Sequence, residues 1–103
     1  MNKEELYSLI EKEILPECFA IMKGKGEAYS GQEDKLGNFK RCSKLAGVKT
    51  EQVWFTYFVK HFDALNSYIR GEYVDTEPIK GRIQDLINYL FLLCGILKEE
   101  GKL

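Results

Sequence analysis

Apolar residues recur at three- and four-residue steps through most of this chain, a spacing that predicts helices. The central stretch, residues 50–71, shows it most clearly. Its apolar positions form one stripe: Trp54, Tyr57, Phe58, His61, Leu65 and Tyr68. An adjoining polar face carries Thr56, Lys60, Asp63, Ser67 and Arg70. We expect Thr50 to cap this helix at its N-terminus and Gly71 to end it in the left-handed conformation.

A second long helix is predicted from Thr76, as its cap, to about Glu100, with Gly101 ending it. Its expected buried stripe consists of Ile79, Ile83, Leu86, Leu90, Leu93, Cys94 and Leu97. Residues 2 to about 23 also have helical spacing, and Pro16 either kinks this helix or divides it. The polar residues 23–37 include four of the 9 glycines and are predicted to form a loop. A short helix follows over residues 38–46, with Phe39, Cys42, Leu45 and Ala46 facing inward and Gly47 as its stop.

No segment alternates strictly between apolar and polar residues, so the sequence predicts no sheet. The fold class is all-α, and residues 1–103 are one domain. The two long helices are joined by a short connection and should pack antiparallel. One or two shorter N-terminal helices then complete a small bundle.

Charge and composition restrict the partners. The 15 basic and 16 acidic residues leave a net charge of −1, so no overall positive field attracts a nucleic acid polymer. The 3 cysteines are scattered, which argues against disulfides and zinc. The N-terminus lacks an apolar signal core, and the longest apolar run, residues 86–97, is too short to span a membrane. We therefore expect a soluble cytoplasmic protein without a membrane partner.

Polar residues on the two long helices are the first candidates for a site. Arg82, Asp85, Asn88 and Tyr89 lie beside the apolar stripe of the last helix, as Lys60 and Asp63 do on the central helix. They form either a buried salt-bridge network or a ligand pocket. A desolvated ion pair can be worse than an apolar replacement by roughly 1 to 4 kcal/mol, so several such groups at one boundary suggest a ligand.

Other candidates also have two interpretations. His61 is either a core residue with one satisfied nitrogen or a group that binds a phosphate or base, with Asp63 or Asp85 fixing its tautomer. Tyr29 either packs back onto the domain or covers a ligand. The short helix carries Lys40, Arg41 and Lys44, which form either a solvated face or a phosphate-docking surface.

Motifs for catalysis and metal binding are missing from the sequence. Helical nucleotide pyrophosphohydrolases hold magnesium with paired Glu-x-x-Glu and Glu-x-x-Asp carboxylates, which have no counterpart in the middle of this chain. Gly24, Gly26 and Gly31 do not form a dinucleotide fingerprint, and no Walker loop or catalytic triad order is present. We predict no metal, cofactor or catalytic residue.

Several short blocks carry a resemblance to a known family. They are KGxxY at 25–29, NFKR at 38–41, VW at 53–54, KHFDAL at 60–65 and EPIKGRIQDLINYL at 77–90. Over residues 14–98 the chain resembles small phage and prophage proteins related to the nucleotide modification associated domain. The family motif maps here onto Tyr29, Asn38, Phe39, Lys60, His61, Asp63, Glu77, Arg82, Asp85, Asn88 and Tyr89. The family often has an aspartate just before the tyrosine, whereas Glu27 stands before Ala28 here, so we assign that acid no catalytic role.

These observations favour a phage-derived protein that binds a small nucleotide-like anion and sequesters a signalling nucleotide of host immunity. Its place would be the host cytoplasm. Cations suit phosphates and aromatic rings suit bases. One alternative is a nucleotide-processing enzyme with magnesium on Asp63 and Asp85. The other is a homo-oligomeric interaction protein without a small ligand; oligomers are also expected of the binding protein.

Overall fold

The computed structural model describes residues 1–29, 33–73 and 76–103, and their side chains except those of 25–29. The helices of this part are α1 (Lys3–Leu9), α2 (Leu15–Tyr29), α3 (Gly37–Ala46), α4 (Thr50–Ile69) and α5 (Ile79–Glu99). A π-helical segment, Ile10–Ile14, joins α1 to α2. No strand occurs among the described residues, and the all-α prediction is confirmed.

The helical N-terminal region extends further than expected. Pro16 is the second residue of α2, and the π-helical segment comes immediately before this helix, with the Leu15 amide donating to the Ile10 carbonyl. The helix then runs through Gly24 to Tyr29, so the predicted loop from residue 23 is wrong that far. Glycine lowers helix propensity by about 1 kcal/mol, which is not enough to stop a helix that is already formed.

The C-terminal limits of the later helices follow the prediction. Gly47, Gly71 and Gly101 have φ angles of 68°, 73° and 71°, the left-handed conformation that ends a helix. The expected N-caps are each displaced. Thr50 is the first residue of α4, after Lys49, and α5 begins after Pro78 rather than at Thr76.

Helices α4 and α5 pack antiparallel, as predicted. Near the start of α4, Trp54 Nε1 donates to the Tyr89 carbonyl at 2.6 Å, while further along His61 faces Asp85. Lys102, just after α5, pairs with Glu51 at 3.3 Å. Residues later in α4 therefore contact residues earlier in α5, which is the antiparallel arrangement.

Helix α2 packs on another side of α5 and runs parallel to it. Gln84 Nε2 donates to Glu17 Oε2 at 2.8 Å, and Asn88 Nδ2 donates to the Cys18 carbonyl at 2.9 Å. Residues later in α2 therefore contact residues later in α5, which is the parallel arrangement. Two buried amides of α5 thus make hydrogen bonds to α2.

The core of this bundle is small and rich in rings. Its buried members are Leu36, Phe39, Val53, Trp54 and Ile96, with Cys42, Phe58, Tyr89, Leu92 and Leu93 packed against them. Trp54 stacks on Phe58 with ring centroids 4.9 Å apart. The core therefore joins α3, α4 and the C-terminal half of α5.

The predicted inward faces are partly wrong. Several residues expected inside are exposed: Leu45, Ala46, Tyr57, Tyr68, Ile83, Leu90 and Cys94. On α5 the polar residues Gln84, Asp85 and Asn88 are buried instead. Because α2 and α4 both cover the polar side of α5, part of its apolar stripe lies at the surface. None of the described helices is long and apolar enough to cross a membrane.

An acid-sensitive cluster holds α2 against the start of α5. Lys80 Nζ lies 2.7 Å from Glu13 Oε1 and 2.8 Å from Glu17 Oε2. The hydrogen bonds from Lys80, and then from Gln84, hold the pKa of Glu17 below its ordinary value of 4.5. A lowered carboxyl pKa contributes stability above the unfolded value, and that stability is lost as pH falls through the folded value.

We therefore expect the melting temperature to fall on acidification below about pH 4.5, and to fall less in the variant Glu17→Gln. Thermal melts monitored by circular dichroism from about pH 7 to about pH 3, around the ordinary carboxyl values, measure this. Glu11→Gln is the control because Glu11 is exposed on the same N-terminal helix. Parallel acid profiles for wild type and Glu17→Gln would show that the cluster contributes nothing.

Candidate functional site

A cavity of about 530 Å³ opens where α3, α4 and α5 meet. Its lining residues are Met22, Lys35, Asn38, Phe39, Arg41, Cys42, Tyr57, Lys60, His61, Asp85, Asn88, Tyr89 and Leu92. The volume falls within the range of pockets that hold small molecules and cofactors. Most of the site residues expected from the sequence therefore face one space: Asn38, Phe39, Arg41, Lys60, His61, Asp85, Asn88 and Tyr89.

Two expected site residues lie outside the cavity lining. Asp63 is exposed on α4, because two residues beyond His61 a helix has turned by about 200°. Arg82 Nε lies 3.4 Å from Glu77 Oε2, and neither residue lines the cavity. The side chain of Tyr29 lies outside the described residues.

The sequence did not indicate five of the lining residues: Met22, Lys35, Cys42, Tyr57 and Leu92. Tyr57 and Cys42 were expected in the core, since helical spacing cannot distinguish a core wall from a cavity wall. Lys35 belongs to the segment predicted as a loop, where no periodicity orients a side chain. The packing of α2 and α3 with α4 and α5 brings these residues together.

His61, Asp85 and Tyr89 form the polar centre of the cavity. His61 Nδ1 lies 3.7 Å from Asp85 Oδ2, and both side chains are mostly buried. The His61 ring centroid is 4.9 Å from that of Tyr89, with the planes tilted by 37°. His61 and Asp85 therefore face each other at the cavity wall.

Three aromatic rings lie together beside this polar centre, and Tyr89 belongs to both groups. Tyr57 and Tyr89 are nearly parallel, with centroids 6.5 Å apart and an interplanar angle of 17°. Phe39 meets both rings edge-on, at 5.9 Å and 6.3 Å. Tyr57 is partly exposed, so its ring is accessible from outside. Such a cluster offers stacking surfaces for a flat, unsaturated ligand.

Cations come to the cavity from three parts of the chain. Lys35 Nζ donates to the Met22 carbonyl at 2.9 Å, and Arg41 Nη2 donates to Asn38 Oδ1 at 3.0 Å. Lys60 is exposed on α4. Lysine and arginine recognise phosphate by charge-assisted hydrogen bonds. The cavity can thus hold an anion beside its rings.

The three basic residues of α3 were expected to form either a solvated face or a phosphate-docking surface, and they have different surroundings. Lys40 Nζ lies 2.8 Å from both Asp34 Oδ2 and Glu99 Oε2, so it ties α3 to α5. Lys44 is exposed and does not line the cavity. Arg41 alone of these three cations is a lining residue.

Burial affects the titration of one group on α2 and one on α5. It raises the pKa of the Tyr89 hydroxyl, with Asp85 and Tyr57 adding to the effect, so the hydroxyl remains a hydrogen-bond donor at neutral pH. Burial also raises the pKa of Cys18, with Glu17 and Asp85 contributing. Because the thiolate is the nucleophile, Cys18 is an unreactive structural thiol.

The chain gives no match to protein-family models, to curated proteins or to solved structures. Among the cavity's lining residues in the described part of the chain, Asp85 is the one carboxylate, and that part contains no group of three His, Cys, Asp or Glu side chains that could hold a metal ion.

Proposed function

We propose that this protein binds a small nucleotide-like anion in the cavity between α3, α4 and α5. The observation that carries the proposal is the meeting of Lys35, Arg41 and Lys60 with a three-ring wall in one space of about 530 Å³. Phosphate groups would face the cations, and a base would lie against the rings. We further propose, from the sequence resemblance alone, that the protein is phage-derived and sequesters a signalling nucleotide of host immunity.

A thermal-shift screen of mono-, di- and cyclic nucleotides tests the proposal, with inorganic phosphate and ribose 5-phosphate as probes of the anion subsite alone. A ligand present at 100 times its Kd stabilises the folded state by about 2.7 kcal/mol, which raises the melting temperature measurably. Sequestration further requires that the bound nucleotide be recovered unchanged after denaturation. Recovery of a hydrolysed product would show an enzyme instead, and no shift with any probe would contradict binding.

The charge of His61 gives this proposal a pH signature. A phosphate bound near His61 should favour the imidazolium form, against the opposing charge of Lys60 on the same helix. Asp85 and Tyr89 also face this histidine. Binding then takes up a proton, and histidine changes charge in the neutral range. We expect the affinity of wild type relative to His61→Gln to increase as pH falls from about 8 to about 5.5.

Isothermal titration of one nucleotide into both proteins measures that ratio, and the comparison cancels the ligand's own phosphate ionisation near pH 6. A ratio of the two affinities that does not change with pH, together with a melting temperature that falls on acidification in wild type alone, would contradict this prediction. His61 would then stabilise the fold without contacting the ligand.

A second proposal, homo-oligomer formation, rests on surface area. The chain exposes 7465 Å², whereas a compact monomer of this mass exposes about 6,000 Å². Its radius of gyration is 15.3 Å, against about 13 Å for a compact domain of this length. A standard interface covers about 800 Å² per partner, less than this excess.

The apolar face formed by α2 and α5 is the surface we assign to a second copy. Phe19 and Phe91 stack there with centroids 6.5 Å apart, and Ile83, Leu90 and Cys94 continue the face along α5. All five side chains are exposed. A net charge of −1 puts little repulsion between copies.

We expect sedimentation velocity at micromolar concentration to give a particle larger than the 11.9 kDa chain. Leu90→Glu should dissociate it without unfolding, because Leu90 is 48% exposed in the monomer. Leu45→Glu is the matched control, since Leu45 is 82% exposed on α3 and away from this face. An 11.9 kDa wild-type particle would refute the proposal.

A further inference from the structure

The amide of Asn88 has a fixed orientation at the wall of the cavity. Its Nδ2 lies 2.9 Å from the carbonyl oxygen of Cys18, which can only accept a hydrogen bond. The nitrogen must therefore face α2, and the amide oxygen is left as an acceptor. That oxygen is buried and has no hydrogen-bond partner in the described part of the chain. Asn88 as a whole is only 6% exposed.

An acceptor buried in this way retains the full cost of its lost hydration until a donor reaches it. Asn88 lines the cavity, so a molecule bound there can supply that donor. Reaching the oxygen requires a side chain of the wall to shift.

Asp85 adds acceptors beside Asn88. It lies three residues earlier on α5, so both side chains project from the same side of the helix, and both line the cavity. A carboxylate only accepts hydrogen bonds when ionised. This part of the wall therefore offers acceptors side by side, and its best complement is a base edge with adjacent N–H donors.

Guanine has such an edge, with N1–H next to the N2 amino group. Adenine offers its N6 amino group beside ring acceptors, which would face the oxygens of Asp85 and Asn88 unfavourably. We propose that Asn88 and Asp85 select guanine among the nucleobases at this site. This inference depends on the proposed nucleotide-binding function and specifies its ligand class.

The test compares GMP, IMP, AMP and ribose 5-phosphate by isothermal titration. Wild type should bind GMP at least about tenfold more tightly than AMP, with IMP between them because it keeps N1–H and lacks the amino group. Asn88→Leu should remove most of the GMP preference and leave the affinity for ribose 5-phosphate unchanged. Gln84→Leu is the control, since it removes another buried amide of α5 that bonds to α2 outside the cavity.

Each outcome separates the two proposals. Equal affinities for GMP and AMP in wild type overturn guanine selection while nucleotide binding stands, and this comparison needs no variant to fold. An unchanged preference for GMP in a folded Asn88→Leu protein also overturns the role of Asn88. Failure of every probe to bind, including ribose 5-phosphate, overturns the proposed function and the base selection with it.

Discussion

Alanine at Lys60 is expected to weaken nucleotide binding by about ten- to a hundredfold and to leave the fold intact. Loss of one charge-assisted hydrogen bond costs about 1.5 to 3 kcal/mol, and each 1.4 kcal/mol is tenfold in affinity. Lys60 is exposed on α4, so its removal creates no buried cavity. Arg41→Ala should have an effect of similar size, because Arg41 is also a lining residue.

Two controls make this result specific to the cavity. Lys44→Ala removes an exposed cation of α3 that does not line it, and should bind as wild type does. Arg82→Ala, expected from the sequence to weaken binding, should also retain affinity, since Arg82 pairs with Glu77 outside the lining. Titrations of the best-bound nucleotide, with circular dichroism of each variant, provide the comparison. Equal losses in all four variants would indicate a nonspecific effect of net charge.

Replacing Trp54 with alanine is expected to destabilise the domain by about 3 to 5 kcal/mol. Trp54 is 7% exposed in the small core, stacks on Phe58, and donates its indole N–H to the Tyr89 carbonyl at 2.6 Å. The substitution removes a ring and leaves that carbonyl without its donor. For a domain of this size the melting temperature should fall by roughly 15 °C or more.

Thermal melts of Trp54→Ala, Trp54→Phe and Phe55→Ala separate the contribution of ring packing from that of the indole hydrogen bond. Trp54→Phe keeps most of the packing and loses the hydrogen bond, so we expect a loss of about 1 kcal/mol. Phe55 is 56% exposed on the same helix, and its removal should change stability by no more than about 0.5 kcal/mol. A Trp54→Ala protein as stable as Phe55→Ala would mean that the core does not depend on the indole.

The fold was largely predictable because helical periodicity is a local signal. The spacing around Trp54 placed α4, and the glycines at 47, 71 and 101 marked helix ends correctly. The α2 extension was missed because glycine weakens a helix without forbidding it. The buried side of α5 was missed for a different reason. Gln84 and Asn88 are polar, and only their hydrogen bonds to α2 make their burial favourable.

Local sequence patterns also predicted only part of the candidate site. Lys60 and His61 follow one another in the sequence, and spacing placed them beside the core. No local pattern could show that Lys35 shares a cavity with them, since that depends on how the segment before α3 returns to α2. Spacing also placed Asp63 and Arg82 beside the apolar stripes, but neither residue lines the cavity.

The three cysteines lie at three different places, so their thiols can be used as independent chemical reporters. Cys42 lines the cavity, Cys94 is exposed on the apolar face, and Cys18 is fully buried where α2 meets α5. Alkylation at Cys42 would report cavity occupancy, and alkylation at Cys94 would report association of copies. Cys18, with its raised pKa, becomes available to an alkylating reagent only when α2 separates from α5. Residue-specific labelling rates could thus follow binding, assembly and local opening in one sample of the unmodified protein.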